Sequence, residues 1–198
     1  GRRLGKKGSI TALLKSMGKL SPEEKKSFGK EVNELKDYAT EAIAAKFEAL
    51  QLLALQKELD ALDSKRKDNL EKMEDIITSA RQLIGVPYLW GGMSAKGVDC
   101  SGLVRISHIM NGILLPRNAS QQVKCGERVE LDNLQRGDLV FFGTPATDQK
   151  PMKITHVGIY LGGNKIIHSS HRVRINSLIP GEEDYYENSH RLVAAIRL

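Results

Sequence analysis

The chain has 198 residues, of which 40 % are hydrophobic and 27 % charged, and a net charge of +6, a composition that fits a globular protein of one domain or two small ones. No apolar run approaches the ~20 residues of a membrane span, and Gly1-Arg2-Arg3-Leu4-Gly5-Lys6-Lys7 lacks the apolar core of a secretory signal. Cys100 and Cys125 alone cannot form a disulfide framework and match no zinc motif.

The first nineteen residues carry Arg2, Arg3, Lys6, Lys7, Lys15 and Lys19 and no acid, which makes either a phosphate-attracting patch or a solvated helix face. A short helix is predicted over Ile10 to Met17, closed by Gly18. Ser21-Pro22-Glu23-Glu24 then announces a long one: Ser21 caps, Pro22 fits the first helical position and Glu24 completes a capping box. Apolar residues recur at helical spacing through Val32, Leu35, Ala39, Ala42, Ile43, Phe47, Leu50, Leu55, Leu59 and Leu62. That is roughly forty residues, near 60 Å of amphipathic helix at 1.5 Å per residue. The polar run Ser64-Lys65-Arg66-Lys67-Asp68-Asn69 reads as a boundary, with domains over 1–66 and 69–198. A second helix is expected over Leu70 to Leu83.

Gly85 to Val104 holds the single Trp, Trp90, in a glycine-rich loop that gives way at Asp99-Cys100-Ser101-Gly102 to the apolar run Leu103-Val104-Arg105-Ile106. This reads as a helix start capped by Asp99 or Ser101, ending at Asn111-Gly112. Cys100 at a helix N-terminus is either a small buried hydrophobe or a thiolate stabilised by unpaired N–H groups, which could also hold an oxyanion. Cys125 suggests no role. Short apolar stretches follow at Asp138 to Phe142, Ile154 to Leu161, Lys165 to His168, Val173 to Leu178 and Leu192 to Ile196. A meander of strands after a helix makes the fold class α+β with an antiparallel sheet.

Gly162-Gly163-Asn164 is a hairpin signal between two histidine-bearing strands. A turn centred there makes His156 and His168 cross-strand neighbours, with Cβ atoms roughly 5 Å apart. With Cys100 they suggest a nucleophile, a base and a group that orients the base. A zinc site of one Cys and two His is the competing use, and it would lack a fourth ligand unless catalytic.

Two resemblances can be drawn. Arg3-Leu4-Gly5-Lys6-Lys7-Gly8-Ser9-Ile10-Thr11-Ala12-Leu13-Leu14, Leu20-Ser21-Pro22-Glu23-Glu24-Lys25-Lys26 and Gly29-Lys30-Glu31-Val32-Asn33-Glu34-Leu35-Lys36 resemble the N-terminal coiled-coil arm of the bacterial phenylalanyl-tRNA synthetase alpha chain. In that family the arm is a helical hairpin that touches tRNA. Here the sequence starts at the bend and carries no synthetase catalytic domain, so aminoacylation is not expected, nor is tRNA binding by half an arm.

Further on, Tyr88-Leu89-Trp90-Gly91-Gly92, Asp99-Cys100-Ser101-Gly102-Leu103-Val104, Leu115-Pro116-Arg117, Arg136-Gly137-Asp138-Leu139-Val140-Phe141-Phe142, His156-Val157-Gly158-Ile159-Tyr160-Leu161-Gly162 and Ile167-His168-Ser169 appear in order. Together they resemble the NlpC-type branch of papain-like cysteine peptidases, which cut peptidoglycan stem peptides. The resemblance implies a papain-like catalytic domain preceded by a long helical segment, and a γ-D-glutamyl-L-diamino acid endopeptidase. It assigns Cys100 as nucleophile, His156 as base, His168 as orienting residue and Tyr88 near the oxyanion. It places Asp99, Ser101, Trp90, Arg117 and Ser120 with the substrate groove. His156 and the helix terminus are expected to lower the Cys100 pKa and hold an ion pair. No metal or cofactor is expected.

A murein stem peptide is the expected partner, and self-association through the front helix is expected as well. A peptidase of this kind belongs in the cell envelope, periplasm or outside the cell, whereas the synthetase-like segment belongs in the cytoplasm, which suggests a fusion. The rival readings are an acyltransferase or amidase on the same fold, and a non-enzymatic tRNA-binding or adaptor fragment.

Overall fold

Ser21 opens the described part of the chain: the computed structural model describes residues 21–198. Its N–H donates to Glu24 Oε2 (2.9 Å) while Glu24 N–H donates to Ser21 Oγ (3.4 Å), the reciprocal capping box. Helix α1 follows over Pro22–Arg81. The predicted helix over Ile10 to Met17, and the basic residues up to Lys19, lie outside the described residues.

The expected break at Ser64 to Asn69 is absent, and the predicted Leu70 to Leu83 helix is the end of α1. The run contains no Pro or Gly, and Lys and Arg are good helix formers, so nothing in it stops propagation. The chain nevertheless divides into two compact units between Lys65 and Arg66. In the first, Leu35, Ile43, Phe47, Leu50 and Leu59 are all exposed, Leu50 at 55 %. Among the described residues no helix is long and apolar enough to cross a membrane.

In the second unit, Ile76, Ile77 and Ala80 of α1 are buried in the core. A two-stranded hairpin, β1 (Met93–Ser94) and β2 (Gly97–Val98), leads into α2 (Cys100–Ile109) and the single turn α3 (Ala119–Gln122). The main sheet contains β3 (Glu127–Val129), β4 (Leu139–Thr144), β5 (Lys153–Gly162), β6 (Lys165–Ser170), β7 (Arg172–Ser177) and β8 (Leu192–Arg197). Its spatial order is β3-β8-β4-β5-β6-β7, antiparallel throughout. The meander expectation therefore holds for β4 to β7 but not for β8, which returns to lie between β3 and β4.

Both faces of the sheet are covered. Leu139 and Phe141 join α1 and α2 residues in one apolar cluster, and Val140, Phe142, Tyr160 and Ala195 form the other with Tyr186. This is why β4 reads as an unbroken apolar run rather than as an alternation. Burying each such side chain contributes about 1.5–3 kcal/mol, so the sheet is a firm platform for what it carries.

The β5–β6 turn uses Gly162, Gly163 and Asn164 at φ +81°, +57° and +57°. The register pairs Ile159 with Ile167 and Tyr160 with Ile166, with a shift before Gly162 and Lys165. Continued by one step, that register sets Gly158 opposite His168, while His156 pairs with Phe142 of β4. The two histidines are thus diagonal neighbours, not the directly opposed pair the turn suggested. A Cβ on Gly158 would sit 3.2 Å from His168 Cβ, so the glycine leaves room for the ring to lean along the diagonal.

Candidate active site

Cys100 is the first residue of α2, and its neighbour Asp99 is the N-cap, with Oδ1 accepting from Gly102 N–H at 2.7 Å. The other carboxylate oxygen accepts from Gly91 N–H at 2.9 Å, which ties the glycine loop to the helix start. Arg117 grips both oxygens, Nη1 to Oδ1 at 3.0 Å and Nη2 to Oδ2 at 2.6 Å, and Nη1 also donates to Ser101 Oγ at 2.9 Å. Burial alone would raise the Asp99 pKa. The Arg117 hydrogen bonds and the two amides outweigh it and hold the carboxyl below its ordinary range. A Cβ on Gly102 would overlap the Gly92 carbonyl, which explains the glycine of the Asp-Cys-Ser-Gly run. Gln122, fully buried, donates from Nε2 to Ser101 O and Pro116 O, both at 3.0 Å, and so braces α3 against the helix start.

An open cleft of about 630 Å³ lies over this turn. Tyr88, Trp90, Asp99, Cys100, Ser101, Arg117 and Ser120 all line it. Trp90, 86 % exposed, stands at its rim. His156 and His168 are not among its walls, but Lys153, Ile154 and Thr155 of the same strand β5 are.

His156 Nε2 lies 2.8 Å from His168 Nδ1, and His168 Nε2 lies 2.8 Å from Asn176 Oδ1. Asn176 Nδ2 in turn donates to Asp184 O at 2.6 Å. Tyr186 covers both imidazoles, with ring centroids 4.5 Å from His168 and 5.6 Å from His156, and Phe142 stands 5.8 Å from His156. With both nitrogens of His168 engaged in hydrogen bonds, a zinc ion held by the two rings would have to break this row.

The electrostatics differ from the expected ion pair. Burial, helped by the neighbouring His168, brings the His156 pKa down to about 3. Burial also brings His168 to about 4, with Arg174 adding to the shift and the Asn176 hydrogen bond opposing it. The Cys100 thiol is pushed up, by burial first and the Asp99 carboxylate second, against the backbone hydrogen bonds from Val157, Ser101 and Cys100 itself. Both shifts favour the neutral thiol and the neutral imidazole over the expected ion pair. The helix terminus is real, but the buried sulfur and the carboxylate beside it outweigh it. Burial, Cys100 and Asp99 likewise raise the Tyr88 pKa, so its phenol remains a hydrogen-bond donor at neutral pH. Cys125 is exposed, its sulfur 3.5 Å from Gln121 O.

Asn176, Tyr186 and Gln122 did not emerge from the sequence. Asn176 had one available signal, a polar amide inside the apolar strand run from Val173 to Leu178, where Asn is depleted.

Residues 85–193 match the model of the NlpC/P60 family, and residues 2–59 match that of the aminoacyl tRNA synthetase class II N-terminal domain. The chain is 41 % identical over 114 residues to a gamma-D-glutamyl-L-lysine dipeptidyl-peptidase of Bacillus subtilis, covering 58 % of this chain and 38 % of that protein. It is 35 % identical over 139 residues to the murein DD-endopeptidase MepS/murein LD-carboxypeptidase of Escherichia coli, covering 70 % of this chain and 69 % of that one. Among solved structures, the peptidoglycan hydrolase RipB of Mycobacterium tuberculosis superposes with a TM-score of 0.52 at 30 % identity, covering 67 % of each chain. The chain thus spans well under half the length of the Bacillus dipeptidyl-peptidase it matches.

Proposed function

Since this chain belongs to the NlpC/P60 family, we propose that it is a cysteine peptidase that hydrolyses the γ-D-glutamyl–L-diamino acid bond of peptidoglycan stem peptides. The observation that carries the reading is the cleft: a cysteine at a capped helix start opens into it, beside the strand that bears a hydrogen-bonded histidine pair. The names of the Bacillus and Escherichia relatives supply the substrate class.

In this mechanism the Cys100 proton passes to His156 as the sulfur attacks the γ-glutamyl carbonyl carbon, forming the S–C bond. A neutral pair suits this, since charge then develops only as the substrate excludes water. The Cys100 backbone N–H and the Tyr88 hydroxyl receive the oxyanion, each such donor contributing about 3–4 kcal/mol by analogy with measured cases. Collapse breaks the C–N bond, and His156 returns its proton to the departing diamino-acid amine. Water, deprotonated by the same imidazole, then cleaves the thioester and restores the thiol. Arg117, Ser101, Ser120 and Trp90 offer the polar and aromatic contacts of the groove. The site of action for such a substrate is the cell envelope or the space outside it.

Mass spectrometry of products from defined murein peptides tests the reading. Release of a fragment ending in γ-D-glutamate is the expected result, and cleavage only at another bond, or none, counts against it.

The front helix adds a second copy of this chain as a partner. Leu35, Ile43, Leu50 and Leu59 are all exposed, and burying each is worth about 1.5–3 kcal/mol. Antiparallel pairing through residues 30–62 covers them with no new sequence. Sedimentation of the whole chain at tens of micromolar should show a dimer that Ile43→Asp with Leu50→Asp dissociates. A monomeric wild-type chain would refute it.

A further inference from the structure

His156, His168 and Asn176 stand on three successive strands, β5, β6 and β7, and each is offset two residues from its direct partner on the next. The β6–β7 register pairs His168 with Arg174, so Asn176 lies on the same face, one diagonal step further along. The row ends on a group whose chemistry is fixed. Asp184 O, a backbone carbonyl, can only accept, and it also accepts from Ser177 N–H at 2.9 Å. The Asn176 atom 2.6 Å from it must therefore be the amide nitrogen, and the atom facing His168 must be the amide oxygen. An oxygen there requires His168 to carry its proton on Nε2. A neutral His168 then has a bare Nδ1, which can only accept, so His156 must carry its proton on Nε2. This leaves His156 Nδ1 unprotonated.

We infer that Asn176 is a positioning residue that fixes the tautomers of both histidines and so presents the bare Nδ1 of His156 as the base. The inference rests on the peptidase reading only for what that nitrogen does. The tautomers themselves follow from hydrogen-bond polarity and are assigned whether or not the protein cuts murein. Placement supports the role: Asn176 is 6 % exposed and His168 fully buried, so water does not compete for either bond. The backbone carbonyl of Asp184 is held by its own anchor, since the Asp184 carboxylate receives Lys165 Nζ at 2.8 and 3.0 Å.

Long-range ¹⁵N–¹H correlation spectra of the whole chain read the tautomers directly, and five histidines make assignment by substitution practical. In the wild type at pH 7, His156 and His168 should both be neutral and Nε2-protonated. An Nδ1-protonated signal from either ring would overturn the inference. Asn176→Leu removes the acceptor and frees His168 to donate from Nδ1, which places the His156 proton on the wrong nitrogen. It should shift both rings toward the Nδ1–H form and lower kcat by about 10- to 100-fold, with KM within twofold. Unchanged tautomers with unchanged kcat would also overturn it. If Asn176→Leu does not fold, the wild-type spectrum still decides. A wild type with the expected tautomers but no murein hydrolysis would overturn the peptidase reading and leave this one standing.

Discussion

Replacing Cys100 with alanine should reduce murein-peptide hydrolysis by at least about 10⁴-fold, while Cys125→Ala stays within about twofold of wild type. The difference follows from placement. Cys100 opens the ten-residue helix α2 and lines the cleft. Cys125 is exposed and outside the cleft lining. Loss of fold does not offer an escape for the first variant. Asp99 caps the helix through its own side chain, and alanine is the better helix former, so α2 should persist. Thermal melts that agree within a few degrees, together with steady-state rates on a defined stem peptide, check both halves. Comparable losses in the two variants would mean that the sulfur at the helix start is not the nucleophile.

The residues around Cys100 were legible because their chemistry is local. A cap, a close-packed glycine and a helix start are written within four positions, Asp99 to Gly102, and need no knowledge of the rest of the chain. Arg117 could be placed near them by resemblance, but its two-pronged grip on Asp99 depends on where α3 packs. The histidine row was only half legible. Period-two alternation puts His156 and His168 on faces that can meet, yet the two-residue offset between them arises from the register beyond Gly162 to Asn164 and from the space left by Gly158. Asn176 lies one strand further, across the single linking residue His171, a non-glycine at φ +63°. No short-range signal carries through such a link. The polar run Ser64 to Asn69 contains the division between the two compact units at Lys65 and Arg66, yet α1 is continuous through it, because polarity alone does not end a helix. Helices stop at residues that remove a hydrogen bond or favour another conformation, and lysine and arginine do neither.

His156→Ala should cost about 10³-fold or more in kcat, and His168→Gln much less, about 10- to 100-fold. The alanine removes the group that takes the thiol proton and later hands it to the leaving amine, so both halves of the reaction lose their carrier. The Cys100 thiol is held above its ordinary pKa by burial, so without that base little thiolate forms at neutral pH. Glutamine at 168 keeps the polarity of the row. Its carbonyl oxygen can accept from His156 Nε2–H, and its amide can donate to Asn176 Oδ1, the two bonds that His168 makes now at 2.8 Å each. What it loses is ring area against Tyr186, whose centroid lies 4.5 Å from His168. The sign of the pH dependence follows from the same burial. A His156 pKa brought down to about 3 keeps the base neutral well below pH 6.5, so wild-type kcat/KM should stay flat on the acid side to about pH 5. Rates measured from pH 5 to 8 for wild type and both variants decide the assignment. A larger loss from His168→Gln than from His156→Ala would exchange the two roles, and an acid limb centred near 6.5 would mean that His156 is not held in the buried, neutral state from which the mechanism starts.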